Sequence, residues 1–149
     1  CYLMKGAKKM KYVLLKNNGE IEVMEQENAL KLQTMYQWIG NGCRFIDIAE
    51  SVISKKMGCR VLLIFDDEFL LTNTEPQANK IASLLFGYKL SRDECLCGNV
   101  IVAKDVNGET MGFTDTEMKK LEKLIDICKG YSMFIKFNVQ EPQIMFISE

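Results

Sequence analysis

The chain has 149 residues, of which 48% are hydrophobic and 26% are charged, values typical of a single soluble globular domain. Its 19 basic and 20 acidic residues give a net charge of −1, which disfavours general binding to nucleic acid. No apolar stretch approaches the roughly 20 residues that span a bilayer, and no signal peptide is recognisable, so we expect a cytoplasmic protein without a membrane segment.

Residues 1–9 are predicted to be a leader that precedes the folded domain. The chain starts at Cys1, and Met10-Lys11 directly precedes the first apolar run, so an added or artefactual leader and an acylated lipoprotein cysteine are the two interpretations. The lysines near this end are interpreted as part of a solvated tail, with a phosphate-binding arm as the alternative; they are Lys5, Lys8, Lys9 and Lys11. We assign residues 1–9 no function.

The domain is expected to open with a β-hairpin. Residues 12–15 form an apolar strand, and Ile21 and Val23 alternate with glutamates in the next one. Between the two strands, Asn17-Asn18-Gly19 supplies the positive φ angles that a tight turn requires. The pattern predicts an antiparallel pair with one solvated face.

A helix is predicted to follow and to lie across the hairpin. Asn28 is a suitable N-cap, and Gly40-Asn41-Gly42 would end the helix. Apolar residues recur at helical spacing between these limits, namely Leu32, Met35, Tyr36 and Ile39.

The middle of the chain is rich in strand signals. Residues 44–52 alternate weakly between apolar and polar and predict a strand, with a loop over residues 54–58. Residues 61–65 and 69–71 are uninterrupted apolar runs on either side of the acidic turn Asp66-Asp67-Glu68, and they predict two strands near the middle of a sheet.

A second helix is predicted to begin near Pro76. Thr74 and Gln77 stand three residues apart in a capping-box pattern, and proline is tolerated in the first turn of a helix. Gly87 would end the helix. Its expected buried face consists of Ala78, Ile81, Ala82 and Leu85.

A further strand over residues 96–103 and a turn over residues 105–109 lead to the third helix. Thr114-Asp115-Thr116-Glu117 is the clearest capping box in the chain, and Lys129-Gly130 would close the helix. Its apolar face is predicted to contain Met118, Leu121, Leu124, Ile125 and Cys128.

These elements together predict a single α+β domain with a mixed or mainly antiparallel sheet of about six strands and about three helices packed chiefly on one face. Residues 10–130 would form the domain. Residues 131–149 would form a C-terminal hairpin that extends the sheet, because the apolar runs 133–139 and 144–147 flank Gln140-Glu141-Pro142.

The chain resembles the bacterial and phage family known as "domain of unknown function 3846" over roughly residues 10–127. The resemblance is carried by four sequence segments, Met10-Lys11-Tyr12-Val13-Leu14-Leu15, Val61-Leu62-Leu63-Ile64-Phe65-Asp66-Asp67-Glu68, Pro76-Gln77-Ala78-Asn79-Lys80-Ile81-Ala82 and Cys97-Gly98-Asn99-Val100-Ile101-Val102. Family members often carry glycine where this chain has Asp67-Glu68. The resemblance implies no activity, but it implies an accessory protein encoded by a phage or another mobile element.

Most familiar enzyme classes are excluded by missing residues. The chain has no histidine, which removes the commonest general base and every Ser-His or Cys-His arrangement. It also lacks a GxxxxGK[ST] loop, a GxGxxG turn and an HExxH motif. We therefore expect a protein that is not an enzyme and that carries no cofactor.

Two weak metal sites can be proposed from the sequence. Asp66 and Asp67, with Glu68, could hold a divalent cation, and residues 105–109 form a second acidic turn; ordinary solvated turns are the alternative interpretation. Cys95 and Cys97, with Cys43 and Cys59, are the candidate zinc ligands or redox pair, although their spacing is atypical and buried thiols are the alternative.

A small ligand is expected, if anywhere, at the start of the second helix. Gln77 and Asn79 lie in its first turn, where unpaired N–H groups can receive an anion or a carbonyl oxygen, and Asn99 could lie nearby. The alternative is that Asn79 caps the helix or binds a neighbouring loop.

Recognition of another molecule is the remaining class of function. Trp38, with Tyr36, could anchor a partner if it is exposed, and core packing is the alternative. The leading hypothesis is a small non-enzymatic accessory protein that binds a host protein or a small effector. The competing hypothesis is a metal- or thiol-dependent activity that uses the Asp66 turn or the pair Cys95 and Cys97.

Overall fold

The computed structural model describes residues 9–40, 42–67, 79–87, 96–137 and 144–146. Within these residues, six strands form one antiparallel sheet. They are β1 (Met10–Leu15), β2 (Ile21–Gln26), β3 (Ile46–Glu50), β4 (Arg60–Asp66), β5 (Val100–Val106) and β6 (Glu109–Met111). The described helices are α1 (Leu32–Ile39), α2 (Ser54–Met57), α3 (Lys80–Phe86) and α4 (Asp115–Ser132).

The strand order of the sheet is β2-β1-β5-β4-β3, and β6 pairs with the second half of β5. Of the five strand pairs in the described sheet, two are tight hairpins: β1 with β2, and β5 with β6. In the second hairpin, Asn107 and Gly108 adopt φ angles of +52° and +87°, as a two-residue turn requires. The prediction of an α+β domain with an antiparallel sheet is confirmed.

Three of the four described helices pack on one face of the sheet. The apolar side chains of this face come from alternate positions of the inner strands, such as Val61 and Leu63 of β4, because successive residues of a strand point to opposite faces. Against them lie Met57 of α2, Leu85 of α3 and Leu121 of α4. This is the larger part of the core.

The opposite face is covered by α1. Its buried residues Met35 and Ile39 pack over Ile64 of β4 and Ile101 of β5. The inner strands are apolar on both faces because both faces are covered, which explains the uninterrupted apolar runs in the sequence. The helix therefore lies mainly over the middle of the sheet, whereas the sequence predicted that it lies across the hairpin.

The first helix also begins later than predicted. Lys31, not Asn28, is its N-cap. The backbone before it is held in a non-helical conformation, since Asn28 O accepts a hydrogen bond from the Tyr12 hydroxyl at 3.3 Å and the Leu30 N–H donates to Thr110 O at 2.8 Å. These long-range bonds override the local capping signal.

Residues 54–58 were predicted to be a loop, but they contain the one-turn helix α2, which ends at the left-handed Gly58. Two serines stabilise this turn. Ser54 Oγ donates to Ser51 O and accepts from the N–H of Val61, both at 2.9 Å, and Ser51 Oγ donates to Leu85 O at 2.7 Å.

Two further boundaries differ from prediction. The strand expected over residues 96–103 is β5, which begins at Val100 because Leu96 forms its hydrogen bonds with Asn79 and Ser83 of the α3 region. The short strand β6 was not predicted. α4 continues past Gly130, which is not in the left-handed region, to Ser132.

The predicted C-terminal hairpin is present as β7 (Ile135–Phe137) and β8 (Ile144–Phe146), which pair with each other in an antiparallel register. They form a separate two-stranded sheet, so among the described strands this hairpin does not extend the main sheet as expected. The predicted strand over residues 69–71, the helix start at Thr74 to Gln77, and residues 1–8 of the leader lie outside the described residues.

Among the described residues, no helix combines the length and apolar character needed to cross a bilayer.

Candidate functional site

Asn79 is the N-cap of α3 and is buried, with 2% of its surface exposed. Its Oδ1 accepts a hydrogen bond from the N–H of Ala82 at 3.1 Å. Its Nδ2 donates to Leu15 O and Gly98 O, each at 2.8 Å. Both amide hydrogens are therefore used within the protein, and the side chain joins the helix start to the end of β1. It agrees with the alternative interpretation, in which Asn79 caps the helix and binds neighbouring segments of the protein instead of a ligand.

Asn99, the second predicted ligand residue, lies at the same end of β1. Its Oδ1 accepts a hydrogen bond from the Asn17 N–H at 3.2 Å, and its Nδ2 donates to Ile39 O at 3.1 Å. The side chain thus connects the β1–β2 turn to the end of α1. Gln77, the third predicted residue, lies outside the described residues.

A cavity of about 290 Å³ lies beside Asn79. Three segments meet around it: the β1–β2 turn, the start of α3 and the end of α4. Its lining residues are Lys16, Asn17, Asn18, Gly19, Asn79, Lys80, Ile81, Lys129, Ser132 and Met133. The volume lies near the lower limit of small-molecule pockets, which is about 300 Å³. We call this cavity the lysine pocket.

The charge of the lysine pocket is positive. Lys16, Lys80 and Lys129 line it, and no Asp or Glu occurs among its described lining residues. Lys16 is bound to Glu22, and this hydrogen bond raises the pKa of the Lys16 ammonium group above its ordinary value. Within the described part of the chain, Lys80 and Lys129 form no ion pair, so two of the three ammonium groups are available to a ligand.

The lysine pocket was missed by sequence analysis. Its lysines come from three segments that are far apart in the chain, and none of them belongs to a recognisable motif. The only signal in the sequence was indirect: the predicted ligand residue Asn79 lines the pocket, and Asn99 holds the turn that forms its wall.

The predicted acidic sites are not gathered into a metal site in the described structure. Asp66 is buried while Asp67 is exposed. In the second acidic turn, Asp105 accepts hydrogen bonds from Arg60 at 3.2 Å and from the Gly108 N–H at 3.0 Å. Among the described residues, no three Cys, Asp or Glu side chains lie close enough to hold an ion.

The described cysteines lie in apolar surroundings. Cys97 is buried, and Cys95 lies outside the described residues. Cys59 and Cys128 pack against the larger part of the core, and this burial raises the pKa of both thiols. Because the thiolate is the reactive form, Cys59 and Cys128 are poor nucleophiles and metal ligands at neutral pH.

The aromatic residues of α1 serve packing. The Tyr36 hydroxyl donates a hydrogen bond to Arg44 O at 2.9 Å. The Trp38 ring contacts the buried Tyr12 ring edge to face, with 5.6 Å between the ring centroids. Both side chains are partly buried, in agreement with the packing interpretation.

Comparisons of the chain with protein-family models, curated proteins and solved structures find no match. The resemblance to "domain of unknown function 3846" therefore stays a prediction.

Proposed function

We propose that this chain is a small non-enzymatic binding protein whose lysine pocket holds an anionic small molecule. The observation that carries the proposal is the convergence of Lys16, Lys80 and Lys129 on a 290 Å³ cavity without a described carboxylate in its lining. Ammonium groups form strong hydrogen bonds with carboxylates and phosphates. The chemistry therefore favours a ligand that carries one of these groups.

The size of the pocket limits the ligand. A cavity of about 290 Å³ suits a molecule of metabolite size rather than a folded protein domain. Ile81 and Met133 add apolar surface to the lining, so the ligand would place a charged group near the lysines and an apolar portion against these side chains. An accessory role in a phage or mobile element, within the cytoplasm, is part of the proposal and is supported only by the resemblance.

A thermal-shift series tests the proposal. Inorganic phosphate, citrate and a set of nucleotides are the probes, each added at low ionic strength. A ligand that binds only the folded state raises the melting temperature in a concentration-dependent way, and its Kd follows from isothermal titration calorimetry. No shift with any of these anions would contradict the proposal.

Lys80→Ala is the most informative variant. Lys80 is exposed and forms no ion pair in the described structure, so its removal leaves the fold intact, and we expect about tenfold weaker binding, the usual loss for one charged hydrogen bond. Lys129→Ala is a less specific test because it also affects stability, since Lys129 offsets the partial negative charge at the end of α4. Lys31→Ala, on the α1 side of the sheet, is the matched control and should bind as the unmodified protein does. Equal losses of binding affinity in Lys80→Ala and Lys31→Ala would show that the effect comes from net charge and not from the pocket.

A further inference from the structure

β2 is an outer strand of the sheet, and its outward edge is unpaired among the described strands. The Lys16 N–H donates to Glu20 O at 2.9 Å, so Lys16 and Glu20 form a hydrogen-bonded pair directly before the pair Leu15 and Ile21. Hydrogen-bonded pairs alternate along antiparallel strands, so Ile21, Val23 and Glu25 direct their backbone N–H and C=O groups away from β1. These groups form a row that a further strand can use.

A groove runs along this edge between β2 and α4. It has a volume of about 240 Å³ and an apolar floor that includes Val13, Ile21, Met118 and Ile125. Val23, which also lines the groove, is 50% exposed. The hairpin thus extends beyond the cover that α4 provides, and part of its apolar face stays open.

The groove is bordered by carboxylates. Glu122 and Asp126 stand one helical turn apart on α4 and both line it, and Glu25 lies on the same face of β2 as Val23. Within the described structure these three carboxylates form no ion pair. The nearby Lys11 ammonium group is bound to Asp115 at 2.9 Å. The border of the groove is therefore acidic.

The opposite edge of the sheet, β3, is not equivalent. The Asp67 N–H donates to Phe45 O, so Ile48 directs its N–H outward. That N–H is bound at 2.8 Å by the carboxylate of Asp47. A charge at the backbone of an edge strand is a common protection against pairing with another chain. The described part of β2 has no such block.

We propose that the free edge of β2 binds an extended segment of a partner protein in which an apolar and a basic residue stand two positions apart, so that both side chains lie on one face of the added strand. The segment adds a strand to the sheet through the outward groups of Ile21, Val23 and Glu25. An apolar side chain beside Val23 fills the groove, and a Lys or Arg on the same face pairs with Glu25 or with the α4 carboxylates. The charge complementarity and the apolar floor select this partner, whereas the lysine pocket plays no part.

Fluorescence anisotropy with a labelled peptide of two Val-Thr-Lys-Thr repeats, in which Val and Lys share one face of a strand, tests the proposal. We expect saturable binding to the full chain, and no binding of the counterpart that has Glu in place of Lys, because the groove border is acidic. A peptide of two Val-Lys-Thr-Thr repeats has the same composition but places Val and Lys on opposite faces, so it should also fail to bind. The Val-Thr-Lys-Thr peptide methylated on the backbone nitrogens of Val and Lys should lose binding because it cannot complete the ladder. Equal binding of the Val-Lys-Thr-Thr peptide or of the methylated peptide would overturn the proposal.

Variants assign the binding to the groove. Glu122→Gln combined with Asp126→Asn removes two exposed carboxylates from α4, and we expect about tenfold weaker binding, the effect of two modest ion pairs. Asp67→Asn combined with Glu109→Gln removes two exposed carboxylates elsewhere and should leave binding unchanged. A dimer that is disrupted by Val23→Lys in sedimentation analysis would assign the edge to self-association and overturn the proposal.

Discussion

α3 and α4 both begin at a polar residue whose side chain accepts a hydrogen bond from the N–H three residues later. The two cap residues differ in their burial and in where their other hydrogen-bond partners lie in the chain. At the start of α3, Asn79 is 2% exposed and also donates to Leu15 O and Gly98 O. At the start of α4, Thr114 is exposed, and its partner is Glu117, whose side chain in turn accepts a hydrogen bond from the Thr114 N–H.

The difference separates two uses of a helix cap. The capping box of α4 satisfies backbone groups within four consecutive residues, so it stabilises the helix wherever the helix lies. The Asn79 cap binds carbonyls that are 64 and 19 residues away in the chain, so it fixes where α3 lies against β1 and β5. The first cap is local, whereas the second is part of the tertiary structure.

The largest expected effect is the loss of the long-range cap. Asn79→Ala removes a helix cap and leaves the carbonyls of Leu15 and Gly98 without their buried donor, so we expect the free energy of unfolding to fall by about 3 kcal/mol. Urea unfolding monitored by circular dichroism measures this change.

Asn79→Asp gives the matched control. Aspartate keeps the acceptor for the Ala82 N–H but has no donor for the two carbonyls, so we expect it to be at least as destabilising as alanine. A stable Asn79→Asp protein would show that the cap alone accounts for the role of Asn79. Loss of ligand binding without loss of stability would instead restore Asn79 as a ligand residue.

The same contrast explains what could be predicted from the sequence. The start of α4 and the β5–β6 turn were visible because their stabilising groups, Thr114 with Glu117 and Asn107 with Gly108, are neighbours in the chain. The starts of α1 and β5 were misplaced because the bonds that set them, from Leu30 to Thr110 and from Asn79 to Leu96, join distant segments. The spacing of apolar residues, in runs or alternation for the strands and at helical intervals for the helices, sufficed for the fold class.

The lysine pocket could not be predicted for the same reason. Lys16, Lys80 and Lys129 approach one another only after three elements have packed, and isolated lysines carry no local signal. Asn79 and Asn99 were predicted to lie at the ends of elements, and the structure places them there. Their roles, however, depend on the carbonyl and N–H groups that the fold brings to them.

A smaller effect is expected from the local cap. Thr114→Ala removes the acceptor for the Glu117 N–H, and we expect a loss of about 1 kcal/mol, the usual value for an N-cap threonine. Thr114→Ser keeps the hydroxyl group and should lose less than half of that amount in the same urea experiment. If Thr114→Ala lowered the free energy of unfolding as much as Asn79→Ala does, the two caps would not differ in the way proposed.

The smallest effect concerns the long-range ion pair between Glu117, near the start of α4, and Lys104. Glu117 Oε1 accepts a hydrogen bond at 2.7 Å from Lys104 of β5, whose ammonium group is largely buried. Burial raises the pKa of the Glu117 carboxyl, but the hydrogen bonds from Lys104 and from the Thr114 N–H outweigh it. The pKa therefore lies below its ordinary value of 4.5.

The sign of the pH effect follows from that lowered pKa. The charged form of Glu117 is favoured in the folded state, so its contribution is complete above pH 4.5 and is lost as the pH falls through the lower pKa of the folded state. Glu117→Gln lacks this titration, and we expect it to be about 0.5 kcal/mol less stable than the unmodified protein at pH 7, with the gap closing on acidification. A gap that stays constant between pH 7 and pH 3 in urea unfolding would show that the charge of Glu117 adds no stability through Lys104 and that Glu117 stabilises the start of α4 through the local capping box alone.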